Sequence, residues 1–277
     1  YSFVNHVLAH HPDTPAGIEL PTVTGSLRAE FPAADITSTI GCGVEGSDRS
    51  GIPAAVEAAA AADVAIVVVG DRAGLFGRGT VGEGNDVDDL ELPGVQRELV
   101  EAVVATGTPV ILIAMTGRPY VLDWALPARA GAAGTMTGLG AVDASATTST
   151  ASAGIPAAVL QTFFPGEEGG PALARLLSGR VAPSGRLPVS LPRSAGAQPY
   201  SYLHPVLGGR TDVTSADSTP VRPFGFGLSY TTFAHDELTA PASIAAGEIF
   251  RATVRVRNTG EVAATDVVQL YAHDEVG

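Results

Sequence analysis

The sequence predicts an α/β fold, a three-layer α/β/α sandwich with a mostly parallel sheet, followed by an incomplete β-sandwich. Apolar runs at residues 64–69 and 110–115 lack polar alternation, as is typical of strands buried on both faces of a sheet. Helical patterns separate the runs, and strand–helix–strand alternation favours a parallel sheet with right-handed crossovers. Near the chain end, alternating apolar and polar residues at 250–256 indicate a strand of a different kind, which begins an all-β region.

Proline and glycine mark the boundaries of the predicted elements. Pro21 lies near the start of the first helix, Pro93 and Gly94 open a later one, and Gly107 lies past its end. In chain order the elements are helix 22–31, strand 35–40, an alanine-rich helix from 50 to 62, strand 64–69, the helix opened by Pro93, strand 110–115, strand 158–164, helix 169–178, a tight turn at 183–188 into a short strand, and strands 250–256 and 267–271. The predicted domains are a linker at 1–20, an α/β domain at 21–232 with a low-complexity insertion at 129–154, and the truncated start of an all-β domain at 233–277.

Composition and charge exclude several classes of partner. The chain has 277 residues, of which 45% are hydrophobic and 16% charged, and its formal net charge is −13. This charge disfavours nucleic acid and anionic membrane surfaces, which need clustered Lys and Arg. A neutral or cationic small substrate fits the negative net charge better.

The single cysteine, Cys42, rules out an internal disulfide framework. No segment indicates a signal peptide or a membrane span, but the chain starts at Tyr1 and not at Met, which leaves the compartment open.

The segment 77–82 matches the G-x-G-x-x-G pattern of dinucleotide-binding folds. In those folds the glycines form the turn directly from strand to helix, which places phosphate at the helix N-terminus. Here residues 71–76 intervene, no helix is predicted before Pro93, and an acidic run follows that would repel a pyrophosphate. That run also lacks the alternating pattern of a calcium loop. We therefore expect neither a cofactor nor a metal.

Glu83 is the candidate catalytic residue in this stretch. It lies between Gly82 and Gly84 on a long loop, residues 70–92, which leaves the carboxyl edge of the predicted sheet. Ligands bind at that edge in parallel α/β sheets, and a connection longer than about 2–6 residues is commonly functional or disordered. From the residues alone, a solvated surface charge remains the alternative interpretation.

Several motifs together resemble the C-terminal α/β domain of glycoside hydrolase family 3, the β-glucosidases and β-xylosidases. The resemblance covers nearly the whole chain, and residues 1–6 and 74–80 are closer to bacterial members. Residues 267–271 look like the family's fibronectin type III-like domain. The other matching segments, in the family's order, are 69–72 with 82–86 and 90–96, then 116–119, 164–170, 183–190 and 223–231.

The resemblance implies that Glu83 is the general acid/base of a retaining β-glycosidase. The nucleophilic aspartate would lie on an N-terminal (β/α)8 barrel of the same protein, which this chain does not contain. The partners implied are a β-linked oligosaccharide or glycoside and that barrel, with no nucleic acid and no membrane. We expect Phe76, Arg78 and Asp86 on the same loop to contact substrate. The resemblance does not decide between glucoside and xyloside.

Two departures from the family pattern weaken local details. Asp86 is followed by Val87 where many members have arginine, so an arginine contact cannot be assumed. The insertion at 129–154 stands where members pass quickly into the next strand. A stand-alone carbohydrate-binding or scaffolding module is the alternative function, because an α/β layer does not by itself imply chemistry. A nucleotide-dependent enzyme is the third function considered, after the β-glycosidase and the binding module.

Overall fold

The structure is a computed structural model that describes residues 11, 13, 21–127, 154–196, 212, 213, 215 and 217–271. Most of the predicted linker and nearly all of the predicted insertion at 129–154 lie outside the described residues. Among the described helices, none combines the length and the apolarity that a membrane span needs.

A three-stranded parallel sheet forms the centre of the first domain. Its strands are β1 (Ala65–Gly70), β2 (Val110–Met115) and β3 (Ala158–Gln161), in that spatial order. β1 pairs with β2 in a register that sets Val67 beside Leu112. Strands β1 and β2 match the two apolar runs, whereas β3 ends before the predicted limit at residue 164 because Phe163 adopts φ +52°, outside the β region. The predicted α/β class with a parallel sheet is confirmed.

Four α-helices accompany the sheet, at or near the predicted places. Thr22 caps the first of them, since its hydroxyl accepts the Gly25 N–H at 3.0 Å. The third begins at Gln96 and not at Pro93, because residues 93–95 form the turn that precedes it. The helices are α1 (Val23–Glu30), α2 (Ile52–Ala60), α3 (Gln96–Val104) and α4 (Gly169–Leu177), and a 3-10 turn occupies Asp123–Ala125.

The core lies between α3 and one face of the sheet. Val100 and Val103 of α3 are almost fully buried, as is Leu112 of β2. Leu99 and Val103 fall one turn apart on the same helical face and form the apolar stripe that α3 turns to the sheet. The buried cluster comprises Ala59, Val67, Val69, Leu92, Leu99, Val100, Val103, Val110, Leu112, Ala114, Tyr120, Leu122 and Ala125.

The opposite face of β1 is exposed, contrary to the prediction that this strand is buried on both faces. Ile66 and Val68 are 36% and 44% exposed. In the described residues β1 is an edge strand, and a groove of about 2340 Å³ beside it is also lined by Leu27 of α1 and Leu177 of α4. Only the face of β1 that meets the buried cluster is therefore closely packed.

Three predicted strands are absent among the described residues. Residues 35–40 form no strand, and Ile40 is 83% exposed, because this segment pairs with no described strand. The turn at 183–188 leads only to an isolated bridge between Leu191 and Arg222. Residues 267–271 also lack a ladder, with Leu270 69% exposed. Alternating apolar residues favour a strand, but a strand forms only where a neighbour supplies hydrogen bonds.

The C-terminal region contains one antiparallel strand pair, β4 (Phe233–Thr239) and β5 (Thr253–Asn258). β5 overlaps the predicted strand at 250–256, whereas β4 was not predicted. Asp266 joins this region to the first domain: its largely buried carboxylate accepts from Arg186 Nη2 at 2.8 Å and lies 2.7 Å from His235 Nε2.

A buried glutamine links the end of β1 to the start of α3. Gln96 is 3% exposed. Its Oε1 accepts the Gly70 N–H at 2.7 Å, and the two hydrogens of its Nε2 are shared among the carbonyl oxygens of Gly70, Val44 and Pro93, which lie at 2.8, 3.0 and 3.0 Å. One amide thereby satisfies backbone groups from three segments, including both ends of the loop that carries Glu83.

We predict that Gln96→Ala lowers the free energy of unfolding by about 2–4 kcal/mol, because each buried backbone group left without a partner costs about 1–3 kcal/mol. Urea unfolding followed by circular dichroism and by fluorescence of the single tryptophan, Trp124, measures the loss. Glu57→Gln, an exposed change on α2, is the control and should stay within about 0.5 kcal/mol of wild type. A similarly small effect of Gln96→Ala would contradict the prediction.

Candidate active site

The carboxyl ends of β1 and β2 meet at one edge of the sheet, and polar residues follow both. Asp71 comes directly after β1, and Thr116 to Arg118 come directly after β2. The long loop with Glu83 leaves the same edge and returns to α3. In an open parallel sheet this edge is where ligands bind.

The loop is an ordered structure in which two segments run side by side. The first outward segment, residues 72–76, runs away from the sheet edge, and residues 77–79 turn the chain back. The second outward segment, residues 80–83, then runs parallel to the first. The Thr80, Gly74 and Phe76 amides donate to the carbonyl oxygens of Arg72, Val81 and Glu83 at 2.8, 2.9 and 2.8 Å. The backbone of Glu83 is therefore tied to the first segment, while its side chain is exposed.

The glycines of the G-x-G-x-x-G pattern make this close approach of the two segments feasible. At Gly79 a Cβ would lie 2.6 Å from the Gly74 amide nitrogen. Gly82 adopts φ +117°, and a Cβ there would overlap the Gly74 carbonyl oxygen. The pattern lies inside the loop and not at a helix start, since α3 begins only at Gln96. Its glycines serve backbone packing beside Glu83.

Asn85 supports the loop from within. It is 8% exposed, and its Oδ1 accepts the Gly79 N–H at 3.1 Å. Its Nδ2 faces the carbonyl oxygens of Glu83 and Gly74 at 3.3 and 3.4 Å. A single buried amide thus contacts both outward segments and the turn between them, on the side of the loop away from solvent.

Asp71 and Arg118 fasten the loop to the sheet. The Asp71 carboxylate accepts from the hydroxyls of Thr80 and Tyr120 at 2.7 and 2.6 Å and from the Gly117 N–H at 2.9 Å. Arg118 Nη2 donates to the carbonyl oxygens of Thr80 and Asn85 at 3.1 and 2.7 Å. Both residues come from strand ends, so the rigid sheet determines where the loop stands.

The predicted site residues all lie on the exposed part of this loop. Glu83, Phe76, Arg78 and Asp86 are exposed, and Phe76 is adjacent to Glu83 through the backbone hydrogen bond between them. Phe76 is 76% exposed and adopts φ +55°, an unusual conformation for a bulky residue. Backbone strain of this kind clusters at functional sites.

Sequence reasoning assigned no role to the residues that hold the loop: Asp71, Thr80, Asn85, Arg118 and Tyr120. Their positions in the sequence could have indicated this role. Asp71 and Arg118 follow two predicted strands, and the carboxyl ends of neighbouring parallel strands lie side by side. Within the part of the chain that the structure describes, no group of three or more His, Cys, Asp or Glu residues is arranged to hold a metal ion.

A family model matches most of the chain. It is described as the glycosyl hydrolase family 3 C-terminal domain and matches residues 10–150 and 140–230. The chain belongs to glycosyl hydrolase family 3. The family 3 match includes the sheet, its helices and the loop with Glu83, which confirms the resemblance drawn from the sequence motifs.

Relatives named as β-glycosidases share this domain. A β-xylosidase of Formosa agariphila is 36% identical over 239 residues, which cover 85% of this chain and 29% of the relative. A periplasmic β-glucosidase of Salmonella typhimurium is 34% identical over 240 residues, or 82% and 27% of the two chains. A solved β-glucosidase from Erythrobacter marinus superposes with a TM-score of 0.67 and 30% identity over 89% of this chain and 33% of that one. The chain spans about a third of these proteins or less.

We predict that Gly82→Ala opens the loop, because a side chain at φ +117° that meets the Gly74 carbonyl oxygen cannot keep the two outward segments in contact. Trypsin should then cleave after Arg78 faster than in wild type, as followed by mass spectrometry. Gly185→Ala is the control, since nothing lies within 4 Å of its added Cβ. Equal rates of cleavage after Arg78 in the two variants would contradict the prediction.

Proposed function

We propose that the chain is the C-terminal part of a retaining β-glycosidase and supplies its general acid/base, Glu83. The observation that carries the proposal is the placement of Glu83. Its carboxylate is exposed on a loop that is hydrogen-bonded internally and fastened to the carboxyl edge of the sheet. Membership of family 3, whose named relatives are β-glucosidases and β-xylosidases, supports the reaction class.

The proposed reaction has two steps. First, an aspartate of the barrel domain attacks the anomeric carbon, the glycosidic bond breaks, and the Glu83 carboxylic acid gives its proton to the departing oxygen. Second, the Glu83 carboxylate removes a proton from water, whose oxygen displaces the aspartate and releases the sugar with retained configuration. Both steps need the two carboxyl groups about 5–5.5 Å apart. The exposed loop supports this arrangement, because it offers Glu83 to a neighbouring domain.

The same loop offers contacts for the substrate. Phe76 presents an apolar surface next to Glu83, while Arg78 and Asp86 present a donor and an acceptor for sugar hydroxyls. A β-linked oligosaccharide or aryl glycoside fits this mixture of apolar and polar groups, and we propose that these three residues contact it. The acidic surface of the loop, which includes Asp88, Asp89 and Glu91, disfavours an anionic substrate.

We propose that the chain comprises a linker, the family 3 domain and the beginning of an all-β domain. Residues 21–232 form the family 3 α/β domain, preceded by a linker at 1–20, and residues 233–277 begin a fibronectin type III-like domain. The antiparallel pair β4–β5 supports an all-β region there. The Arg186–Asp266 ion pair supports its attachment to the first domain.

The 277-residue chain alone should not hydrolyse an aryl β-glucoside or β-xyloside, because a general acid without a nucleophile lacks the covalent step. A chromogenic assay with the purified chain measures this, and the full-length protein is the positive control. Turnover by the chain that Glu83→Gln abolishes would overturn the division of catalytic residues between two domains.

In the full-length protein, Glu83→Ala should slow hydrolysis of alkyl glycosides by about 10²–10⁴-fold, because general acid help matters most for poor leaving groups. An activated aryl glycoside should still form the glycosyl-enzyme and then stall for lack of a base. Azide should restore turnover and give a β-glycosyl azide, because this anion attacks without a base. Steady-state rates on both substrates, with and without azide, and product analysis measure these effects.

Asp88→Ala is the matched control, since Asp88 is an exposed carboxylate from the same stretch of chain. It should leave the leaving-group dependence and the azide response as in wild type. Equal losses of Glu83→Ala on all substrates, with no azide product, would contradict the role of Glu83. If the full-length protein binds glycosides without hydrolysing any, the alternative of a carbohydrate-binding module takes its place.

A further inference from the structure

The hydrogen bonds at the base of the Glu83 loop converge on one carboxylate. Asp71 accepts from Thr80 Oγ1, from Gly117 N and from Tyr120 Oη, at 2.6–2.9 Å. We call these four residues the Asp71 clamp. The Thr80 donor lies on the second outward segment of the loop, whereas the Gly117 and Tyr120 donors come from the segment that follows β2. The clamp therefore joins the loop to the ends of two neighbouring strands.

The donors in the clamp have fixed directions. The Thr80 hydroxyl accepts the Arg72 N–H at 2.9 Å, which leaves its proton to point at Asp71. Tyr120 is 1% exposed, so its ring cannot turn away without repacking the core. Burial first, and then the hydrogen bond to Asp71, raise the pKa of Tyr120, so its hydroxyl stays a proton donor.

Arg118 provides a second attachment of the loop, which also holds the chain beyond Glu83. Its Nη2 donates to the carbonyl oxygens of Thr80 and Asn85. Thr80 precedes Glu83 and Asn85 follows it, so the stretch that carries the carboxylate is held at both ends. Hydrogen bonds with an ionised partner are shorter and stronger than neutral ones, which suits a support that must resist displacement.

We propose that Asp71 is a positioning residue for catalysis: through Thr80, Tyr120 and Gly117 it fixes the height and direction at which Glu83 stands above the sheet edge. This inference rests on the proposed function of Glu83 and adds the device that sets its place. Asp71 itself is half-buried at the base of the loop, whereas Glu83 and the proposed substrate contacts are exposed. It acts by geometry, and displacement of a reacting group by 1 Å can cost about 10²-fold in rate.

The first test measures the loop directly and does not depend on any activity. In the full-length protein, Asp71→Asn removes the negative charge and at least one acceptor of the clamp. Hydrogen exchange of peptides that span residues 72–85 should quicken by about 10-fold or more, while peptides from β2 keep the wild-type rate. Tyr120→Phe, which keeps the buried ring, should act in the same direction. Asp88→Asn removes the same charge without a contact to the clamp and should leave the loop unchanged.

The second test is a double-mutant cycle on catalysis. Asp71→Asn alone should lower kcat/KM for an alkyl glycoside by about 10–100-fold and affect an activated aryl glycoside less. In the Glu83→Ala background, Asp71→Asn should cost almost nothing further, because a positioning residue has no effect once the group it positions is absent. Tyr120→Phe should follow the same pattern with a smaller loss.

Each outcome separates the inference from the proposed function. Unchanged exchange of 72–85 in Asp71→Asn, or equal acceleration in β2, would overturn the clamp. Additive losses in the double variant would overturn positioning and leave Asp71 a merely structural residue. If Glu83→Ala shows no leaving-group dependence, the proposed function fails, whereas quicker exchange of the loop in Asp71→Asn would still support the clamp as a physical device.

Discussion

The buried amide of Gln96 is the interaction on which the site depends. It binds Gly70, where the long loop begins, and Pro93, where the loop ends, and it is itself the first residue of α3. Both ends of the loop are thus held at one point in the core. Closing a long loop costs conformational entropy whatever its sequence, and a fixed base limits that cost to the outer part.

Parallel pairing supplies the second constraint, because it brings residues far apart in the sequence to one edge. Gly70 and Met115 are paired at the ends of β1 and β2, so Asp71 and Gly117 become neighbours. Pairing in the sheet fixes the ends of β1 and β2, and these ends carry Asp71, Gly117 and Tyr120. The hydrogen bonds of the Asp71 clamp then fix the position of the loop. Glu83 is placed by this sequence of contacts through its backbone, while its side chain is exposed.

Sequence reasoning predicted what local patterns determine and missed what neighbours determine. Uninterrupted apolar runs predicted β1 and β2 to within one residue, and Pro93, Gly94 and Gly107 predicted α3, although its first turn begins only at Gln96. The exposed face of Ile66 and Val68 and the missing strand at 35–40 depend on whether another segment covers or pairs with them, which no local pattern records. Glu83 was proposed from the family motif, whereas the role proposed for Asp71 needed the strand register.

The order of the loop has a consequence for the proposed assembly with a second domain. A catalytic group offered by a flexible loop would have to be immobilised on docking, at a cost of about 0.5–1.5 kcal/mol for each ordered side chain in addition to the backbone. Here the Asp71 clamp, Asn85 and the glycine contacts at Gly79 and Gly82 order the backbone before any partner arrives. Docking then has only the exposed side chains left to fix. Under the proposed function, in which a second domain completes the site, Glu83 is best carried on such a prearranged loop, since geometry in the transition state is worth more than tighter binding of the ground state.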